Sequence, residues 1–322
     1  MKQIPISEIS GFRIGHAQDT EHATGCTVIL CEQGATAGVD VRGGSPASRE
    51  TELLRPINTV SQIHAVMLSG GSAFGLEAGD GAMRFLSEKG IGFDTGFGRV
   101  PIVCGCSLFD LELVTNAVYP DKDMGYRACV AAYAPREPAE GNVGAGTGAT
   151  VGKLRGCDTM MKSGLGIYAA QVGPVKVGAV VAVNALGDII DYEDKHILAG
   201  LLTPDRTDFA DTVSALYAQM EDTRSLWGGN TTLGCVLTNV KLDKAQCTKL
   251  AGIAHNGYAQ AIRPVHSTAD GDTIFVMTTG EVDAGVDAVG ALVTECVARA
   301  INRAARCAQP AYGLKASQDL TV

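Results

Sequence analysis

The residues best suited to covalent chemistry lie in the stretch WGGNTTLGCVLTN, from Trp227 to Asn239. If Thr231 attacked the carbonyl carbon of Asn230, the chain would pass through an ester, and water would release Thr231 as a new amino-terminal residue. That cleavage would place a free α-amine, with a reference pKa of roughly 7.7 to 8.0, beside the nucleophilic hydroxyl as its base. The local pattern also fits two hydroxyl residues that open a buried strand after a glycine turn. On that pattern alone the structural interpretation is favoured.

Three further polar side chains stand at the ends of predicted strands. Asn184 follows the apolar run Val175 to Val183 and could donate its amide to an oxyanion, although a simple turn residue fits the spacing better. Asp270 and Asp272, in the segment HSTADGD, precede the predicted strand Thr273 to Thr279. They could orient a nucleophile or bind a substrate amine, and a solvated turn is the alternative because Asp-Gly-Asp is turn-prone.

The glycine turn SGGSAFG, from Ser69 to Gly75, follows a short apolar strand and opens a predicted helix that runs to Glu88. Such a turn can direct backbone N–H groups, here those of Gly71 and Ser72, towards an anion or a developing oxyanion. Close packing of the helix on the sheet, with Ser72 as its cap, explains the same residues equally well.

The most glycine-dense segment is GNVGAGTGATVGK, from Gly141 to Lys153. It departs from a phosphate loop, because Thr147 stands where that pattern needs glycine and Leu154 where it needs Ser or Thr. The third glycine of a dinucleotide-binding turn is also missing. Gly146 of this segment is a further candidate for oxyanion contact, and Lys153 is either a site residue or a surface charge that flanks a loop.

Composition excludes several partners and compartments. The chain carries 26 basic and 35 acidic residues, for a net charge of -9, without a basic cluster that could follow nucleic-acid phosphates. The most apolar long stretch, Gly164 to Ile190, is interrupted by Gln171, Pro174 and Lys176, so no membrane span is expected. Ten scattered cysteines and an amino terminus without an apolar core predict a reduced, cytoplasmic protein. No metal or cofactor is expected.

The order of predicted elements favours two sheets covered by helices, in one domain spanning residues 1–322. Strands are expected in antiparallel pairs with helices between the pairs, and neither a sequence repeat nor a domain boundary is evident. The 40 glycines against 5% aromatic residues predict close backbone packing. The predicted elements include strands at Cys26 to Leu30, Ala37 to Val41, Ile167 to Val172 and Leu233 to Val240, partly helical segments at Ile197 to Leu202 and Asp208 to Met220, a helix face with Val130, Ala131 and Tyr133, a helix capped by Asp243, and a final helix at Ala284 to Ala308.

Five ordered blocks give the chain a resemblance to a known family. RGGSPASRETELL, LSGGSAFGLEAGDGAMRFL, GNVGAGTGATVGK, NTTLGCVLTN and HSTADGDTIF together resemble the DmpA-type aminopeptidases, the self-processing N-terminal nucleophile hydrolases of peptidase family S58. The resemblance implies a four-layer α/β/β/α sandwich, with two mainly antiparallel sheets flanked by helices. It also implies self-cleavage into residues 1–230 and 231–322, which stay associated. Independently of the resemblance, Glu221 to Gly229 is a polar, glycine-ended linker that would be accessible to cleavage.

Within that family the chain is most similar to the nylon-oligomer hydrolase branch, which combines a threonine nucleophile after asparagine with a lysine at the end of the glycine-rich block. The resemblance implies that Thr231 is the nucleophile, that Lys153 supports it, that Asn184 stabilises the oxyanion, and that Asp270 and Asp272 orient the nucleophile. The aminopeptidase branch differs, with a serine nucleophile, a tyrosine near the place of Gly152 and Lys153, and Ser and Glu at the two aspartate positions. A pantetheine hydrolase branch also uses threonine.

The expected function is therefore hydrolysis of amide bonds in small peptides or oligoamides through an acyl-threonine ester, by a homo-tetramer of processed units. Two alternatives are carried with it. An acyltransferase of the ornithine acetyltransferase type would use the same threonine to pass the acyl group to an amine. A homologue that never cleaves would instead be a ligand-binding protein without enzymatic activity.

Overall fold

The computed structural model of the chain describes residues 1–220 and 229–320. The strands are β1 (Lys2–Gln3), β2 (Arg13–Asp19), β3 (Thr24–Val41), β4 (Ala47–Arg49), β5 (Ile63–Ser69), β6 (Phe93–Asp94), β7 (Arg99–Val100), β8 (Val103–Ser107), β9 (Thr150–Val151), β10 (Met161–Lys162), β11 (Leu165–Val172), β12 (Val175–Asn184), β13 (Asp188–Ile190), β14 (Ile197–Ala199), β15 (Thr231–Val240), β16 (Ile262–Arg263) and β17 (Thr273–Val282). The α-helices are α1 (Ala78–Glu88), α2 (Lys122–Ala131), α3 (Thr212–Ala218), α4 (Lys244–Ala261) and α5 (Val286–Cys307).

One long strand, β3, belongs to two sheets. Its second half pairs with β17 in sheet I, whose strand order is β1-β11-β12-β15-β17-β3. Its first half pairs with β2 and β5 in sheet II, whose order is β2-β3-β5-β8-β4. All neighbouring strands within these two sheets are antiparallel except the pairs β15 with β17 and β5 with β8.

The period-two alternation of the inner strands explains how the two sheets stack. In β12, Val180 and Ala182 face a core between the sheets, whereas Val181 and Val183 face the helices α4 and α5. Both faces of β12 and β15 are therefore buried, which accounts for their near-continuous apolar sequences. On the far side, α1 and α2 cover sheet II through a third cluster that includes Val28, Met67, Phe85 and Ala128. The four layers α/β/β/α confirm the predicted fold.

Most predicted elements of the core are confirmed. β5, the β11–β12 pair, β15 and the final helix α5 lie where the sequence indicated them. Asp243 caps α4 in a capping box, in which its side chain accepts from the N–H of Gln246 at 2.8 Å. All ten cysteines are free thiols.

Three local predictions were wrong. The two early strands are one continuous strand, β3, because the residues between them bridge the two sheets. Ile197–Ala199 is a strand that pairs with β13, so the helix in that region is confined to Thr212–Ala218. Helix α2 buries Met124, Ala128 and Cys129, whereas Val130 is exposed, so its apolar face is rotated from the predicted one.

Candidate active site

The ends of two neighbouring strands bring Asn184 and Thr231 together. Asn184 is the last residue of β12 and Thr231 the first of β15, and they are direct partners in the antiparallel register. Thr231 shares its strand face with Leu233 and Cys235, which belong to the core between the sheets. The candidate nucleophile is thus buried at one end of the space between the sheets, with 3% of its surface exposed.

The peptide bond that precedes Thr231 is held by groups on both sides. The Thr231 hydroxyl donates a hydrogen bond to the carbonyl oxygen of Asn230. The backbone N–H of Gly271 donates to the same oxygen at 3.0 Å. A bridge between Asn230 and Asp270 fixes the chain just before β15 to the loop just before β17. The hydroxyl therefore lies against the carbonyl of its own preceding residue, and that carbonyl already has an N–H donor.

The loop between β16 and β17 directs both aspartate side chains inward. Asp270 accepts hydrogen bonds from the N–H of Leu186 at 3.2 Å and from both the N–H and the hydroxyl of Ser267. Asp272 accepts from the N–H of Thr232 at 2.8 Å. The solvated turn is excluded, because both residues are at most 1% exposed.

Burial and a neighbouring charge act together on Asp270. Burial raises the pKa of the Asp270 carboxyl above its ordinary value, and the nearby carboxylate of Asp272 raises it further. The hydrogen bonds from Ser267 and Leu186 lower the pKa but do not cancel these effects. Proton uptake by Asp270 is therefore shifted towards neutral pH.

The paired glycines after Arg42 pack on this loop. The N–H groups of Arg42 and Gly43 donate to the carbonyl of Asp272 at 3.0 and 3.3 Å. A Cβ atom at Gly43 would lie 2.3 Å from the carbonyl oxygen of Asp270, so any side chain there would displace the loop. Contact with the aspartate loop therefore fixes the shape of the Arg42-Gly-Gly segment.

Asn184 is oriented by contacts on both ends of its amide. Its Oδ1 accepts from the N–H of Thr150 at 3.0 Å, which assigns Nδ2 as the opposite end, and Nδ2 donates to the carbonyl of Phe109 at 2.8 Å. An amide nitrogen carries two protons, so one remains for another acceptor. The side chain is fully buried beside the Thr231 register position.

Lys153 reaches the residues just before the candidate scissile bond. Its position follows from Gly152, which has a φ of +72° and where a Cβ would lie 2.1 Å from the backbone of Gly200. The Lys153 ammonium donates to the carbonyl of Gly229 at 3.0 Å and pairs with Glu112 at 2.9 Å. With 7% of its side chain exposed, it is not the surface charge that the sequence left open.

A cavity of about 220 Å³ adjoins this lysine and the peptide chain before Thr231. Its wall combines an ion pair with apolar side chains. The lining includes Glu112, Lys153, Leu154, Met160, Leu186 and Asn230.

The remaining predicted contributors do not direct N–H groups at Thr231 in this structure. The N–H of Gly71 donates to Asp110 at 2.7 Å, and that of Ser72 donates to the carbonyl of Leu108 at 2.8 Å. The N–H of Gly146 donates to the carbonyl of Val143 at 2.9 Å. Their role at an oxyanion stays a prediction. The predicted cleavage linker from Glu221 to Gly229 lies outside the described residues except for Gly229.

Gly271, Lys162 and Asp110, which lie near the site, were not predicted from the sequence. Gly271 was missed because its contribution is a backbone N–H, which no side-chain motif encodes. Lys162 is fully buried, and its ammonium donates to the carbonyls of Gly146 and Ala149 at 2.9 Å each and to that of Ser163. Burial lowers the pKa of Lys162 to about 7 and raises that of the buried Asp110 to about 6. A single charge inside a strongly apolar segment was the only available signal for Lys162.

Among the described residues, one group has the side chains to hold a metal ion, namely Asp191, Asp194 and His196. It contains no residue of the Thr231 site, and Asp191 is paired with Arg306. Within residues 1–220 and 229–320, no helix combines the length and the apolar character needed to cross a bilayer.

The sequence model of peptidase family S58 matches residues 5–318. The chain belongs to peptidase family S58. As a member of a peptidase family it is a hydrolase that acts on amide bonds.

Two relatives carry names that agree with this assignment, and a solved structure shares the fold. An uncharacterised aminopeptidase of Mycobacterium leprae (strain TN) is 38% identical, over 96% of this chain and 92% of its own length. A 6-aminohexanoate-oligomer endohydrolase of Kocuria sp. (strain KY2) is 32% identical, over 86% of this chain and 75% of its own length. The L-aminopeptidase D-Ala-esterase/amidase of Ochrobactrum anthropi, a variant of the Ntn hydrolase fold, superposes with a TM-score of 0.68 at 17% identity, over 94% of this chain and 86% of its own.

Proposed function

We propose that this S58 hydrolase cleaves its own Asn230–Thr231 bond and then hydrolyses small peptides or oligoamides through an ester on Thr231. The observation that carries the proposal is the contact between the Thr231 hydroxyl and the Asn230 carbonyl, to which Gly271 also donates. A nucleophile and an oxyanion donor thus already flank one particular peptide bond.

In the self-cleavage step, Thr231 Oγ attacks the carbonyl carbon of Asn230 while its proton passes to the departing peptide nitrogen. An ester forms between Asn230 and the Thr231 hydroxyl, and the nitrogen becomes a free α-amine. Water then hydrolyses the ester, which leaves a carboxylate on Asn230 and a free hydroxyl on Thr231. The Gly271 N–H stabilises the negative charge that develops on the Asn230 oxygen.

In turnover, the α-amine of Thr231 accepts the hydroxyl proton as Oγ attacks a substrate amide, and it returns a proton to the leaving amine. Asn184 is proposed to donate its second amide proton to the oxyanion. The Lys153 ammonium, whose present partner Gly229 lies two residues before Thr231, disfavours protonation of the Thr231 amine and so keeps it in the unprotonated form that can accept the hydroxyl proton. Asp270 and Asp272 hold the loop and the Thr232 N–H in place around the nucleophile.

The substrate is proposed to have a narrow acyl portion. The cavity beside Asn230 has a volume of about 220 Å³ and combines the charges of Glu112 and Lys153 with apolar side chains. Relatives named as an aminopeptidase and as a 6-aminohexanoate-oligomer endohydrolase support peptides and linear oligoamides as candidates. A tetramer of processed units stays a prediction, which size-exclusion chromatography with light scattering tests.

Denaturing mass spectrometry of the purified chain over time tests the proposal. We expect two fragments, the smaller beginning at Thr231, and hydrolysis of a panel of amides by the processed protein. Thr231→Ala should show neither, whereas Thr231→Ser should retain both. A chain that stays intact would overturn self-processing, and product that forms only with an added amine acceptor would indicate acyl transfer in place of hydrolysis.

Thr232→Val is the matched control for the choice of hydroxyl. The Thr232 hydroxyl is buried and has no hydrogen-bond partner among the residues that the structure describes. Valine keeps its shape, so cleavage after Asn230 should proceed at the wild-type rate. If Thr232→Val lost self-cleavage and Thr231→Ala kept it, the nucleophile would be Thr232 and not Thr231.

A further inference from the structure

One imidazole stands directly behind the aspartate loop. His266 Nδ1 lies 2.8 Å from Oδ2 of Asp272, and the backbone N–H of His266 donates to the same oxygen at 3.1 Å. The other oxygen of Asp272, Oδ1, accepts from the N–H of Thr232, the residue next to the candidate nucleophile. A short chain of contacts therefore joins His266 through one carboxylate to the start of β15.

The backbone of His266 adopts an unusual conformation to make these contacts. Its φ is +58°, in the left-handed region that most residues with a Cβ atom avoid at a cost of about 1 kcal/mol or more. This conformation lets the backbone N–H and the ring of one residue reach the same carboxylate oxygen. A strained backbone of this kind persists only where surrounding contacts hold it, and the two contacts with Asp272 do so here.

Two rings fix the orientation of the imidazole. The Tyr258 ring stacks on it with centroids 6.0 Å apart and 28° between the planes, and the His255 ring meets it edge-on at 4.7 Å. His255 is held in turn by the Asp40 carbonyl, 3.1 Å from its Nε2. The His266 ring therefore has little freedom to rotate away from Asp272.

We propose that His266 is a positioning residue, which through Asp272 holds the Thr232 N–H and thereby the Thr231 hydroxyl in the geometry for attack. The proposal rests on the proposed function of Thr231. Because Nδ1 donates to the carboxylate, the role requires a donor at that place and tolerance of a positive φ.

Three substitutions separate these two requirements. His266→Gly relieves the backbone but removes the donor, so self-cleavage and kcat should fall about tenfold or more, the size expected for one lost hydrogen bond to a charged group, while KM stays unchanged. His266→Asn tolerates the left-handed backbone and offers its amide N–H to Asp272, so it should recover most of the lost rate. His266→Asp has nearly the shape of asparagine but no donor at neutral pH, so it should be as slow as the glycine variant or slower.

The rate of appearance of the fragment beginning at Thr231 and the melting temperature are measured for each variant. His64→Gly is the control for lost packing, because His64 in β5 is also buried, and the hydrogen bond of its ring within the described residues is accepted from the N–H of Ile102, not from a site residue. It should lower the melting temperature and leave the cleavage rate unchanged.

Wild-type rates in His266→Gly, or equal rates in the Asn and Asp variants, would overturn the inference. If the glycine variant does not fold, the Asn and Asp pair decides the question alone. A wild-type chain that never cleaves would overturn the proposed function itself, whereas failure of only the His266 series would leave that function standing.

Discussion

The N–H of Gly271 lies 3.0 Å from the carbonyl oxygen of Asn230, and a Cβ atom on Gly271 would lie 2.7 Å from the Thr231 hydroxyl oxygen. Gly271 thus donates its N–H to the candidate scissile carbonyl, and because it has no side chain it leaves room for the Thr231 hydroxyl. Only glycine meets both conditions.

Gly271→Ala should therefore slow self-cleavage at least tenfold, because the added methyl group displaces either the hydroxyl or the donor from its place. The rate is followed by denaturing mass spectrometry. Gly285→Ala is the matched control, since a Cβ atom there meets nothing within 4 Å. Equal rates for the two alanine variants would contradict the role of Gly271.

Asn184→Asp should retain the fold and lose turnover by about 10²- to 10³-fold in kcat, the range seen when one oxyanion donor is removed. The carboxylate can still accept from Thr150, but it replaces an amide donor by a negative charge beside the developing oxyanion. Steady-state kinetics on processed protein measure the effect. A change confined to KM would indicate that Asn184 binds the ground state only.

The self-cleavage rate should fall at acid pH with a midpoint above the value of about 3.9 expected for an ordinary aspartate. The raised pKa of Asp270 means that its carboxyl takes up a proton earlier as the pH falls, and the neutral acid accepts its three hydrogen bonds less well. The intact chain is the right sample, because it has no Thr231 amine to titrate.

Asp272→Asn provides the check on this pH profile. It removes the charge that raises the pKa of Asp270, so the midpoint should move to lower pH. Because the folded chain binds this proton more tightly than the unfolded chain does, the contribution of Asp270 to the free energy of unfolding should decrease as the pH rises through the same window. A midpoint unaffected by Asp272→Asn would contradict the coupling.

Lys162→Met should lower the free energy of unfolding by about 1 to 3 kcal/mol, since the Ser163 carbonyl loses its donor, whereas those of Gly146 and Ala149 keep a backbone N–H. Turnover should slow as well, because Ala149 precedes Thr150, whose N–H holds Asn184. Urea unfolding and steady-state kinetics on processed protein measure the two effects. Lys176→Met is the control, because Lys176 is partly exposed and, among the described residues, its ammonium donates to one carbonyl, that of Glu8, at 2.7 Å.

The layered fold and the main site residues were predictable because each leaves a signal in sequence. The alternation of β12 and β15 sets which residues face the core between the sheets, and it places Thr231 on that face and Thr232 on the other. The apolar run before Asn184 and the block around Asp270 and Asp272 indicated the strands that carry these residues.

Contacts made by the backbone were not predictable in the same way. The donor of Gly271 and the packing of Gly43 depend on how the β16–β17 loop meets segments distant in sequence, and a glycine gives no sign of its partner. His266 is the first residue of the HSTADGDTIF block and Lys162 follows the glycine-rich block, but tertiary structure decides which carboxylate or carbonyls these side chains reach. The apolar face of helix α2 was mispredicted because Gly125 and Ala128 make up half of its buried residues and weaken the periodic signal.

The strand order of sheet I has a consequence for the mechanism of assembly. β15 and β17 lie side by side between β12 and β3, so a cut after Asn230 would leave the larger fragment with its sheet interrupted in the middle by two strands of the smaller one. Neither fragment can complete that sheet alone. Refolding of the separated fragments would therefore be a second-order process that slows on dilution, whereas the uncut chain would refold at a rate independent of its concentration.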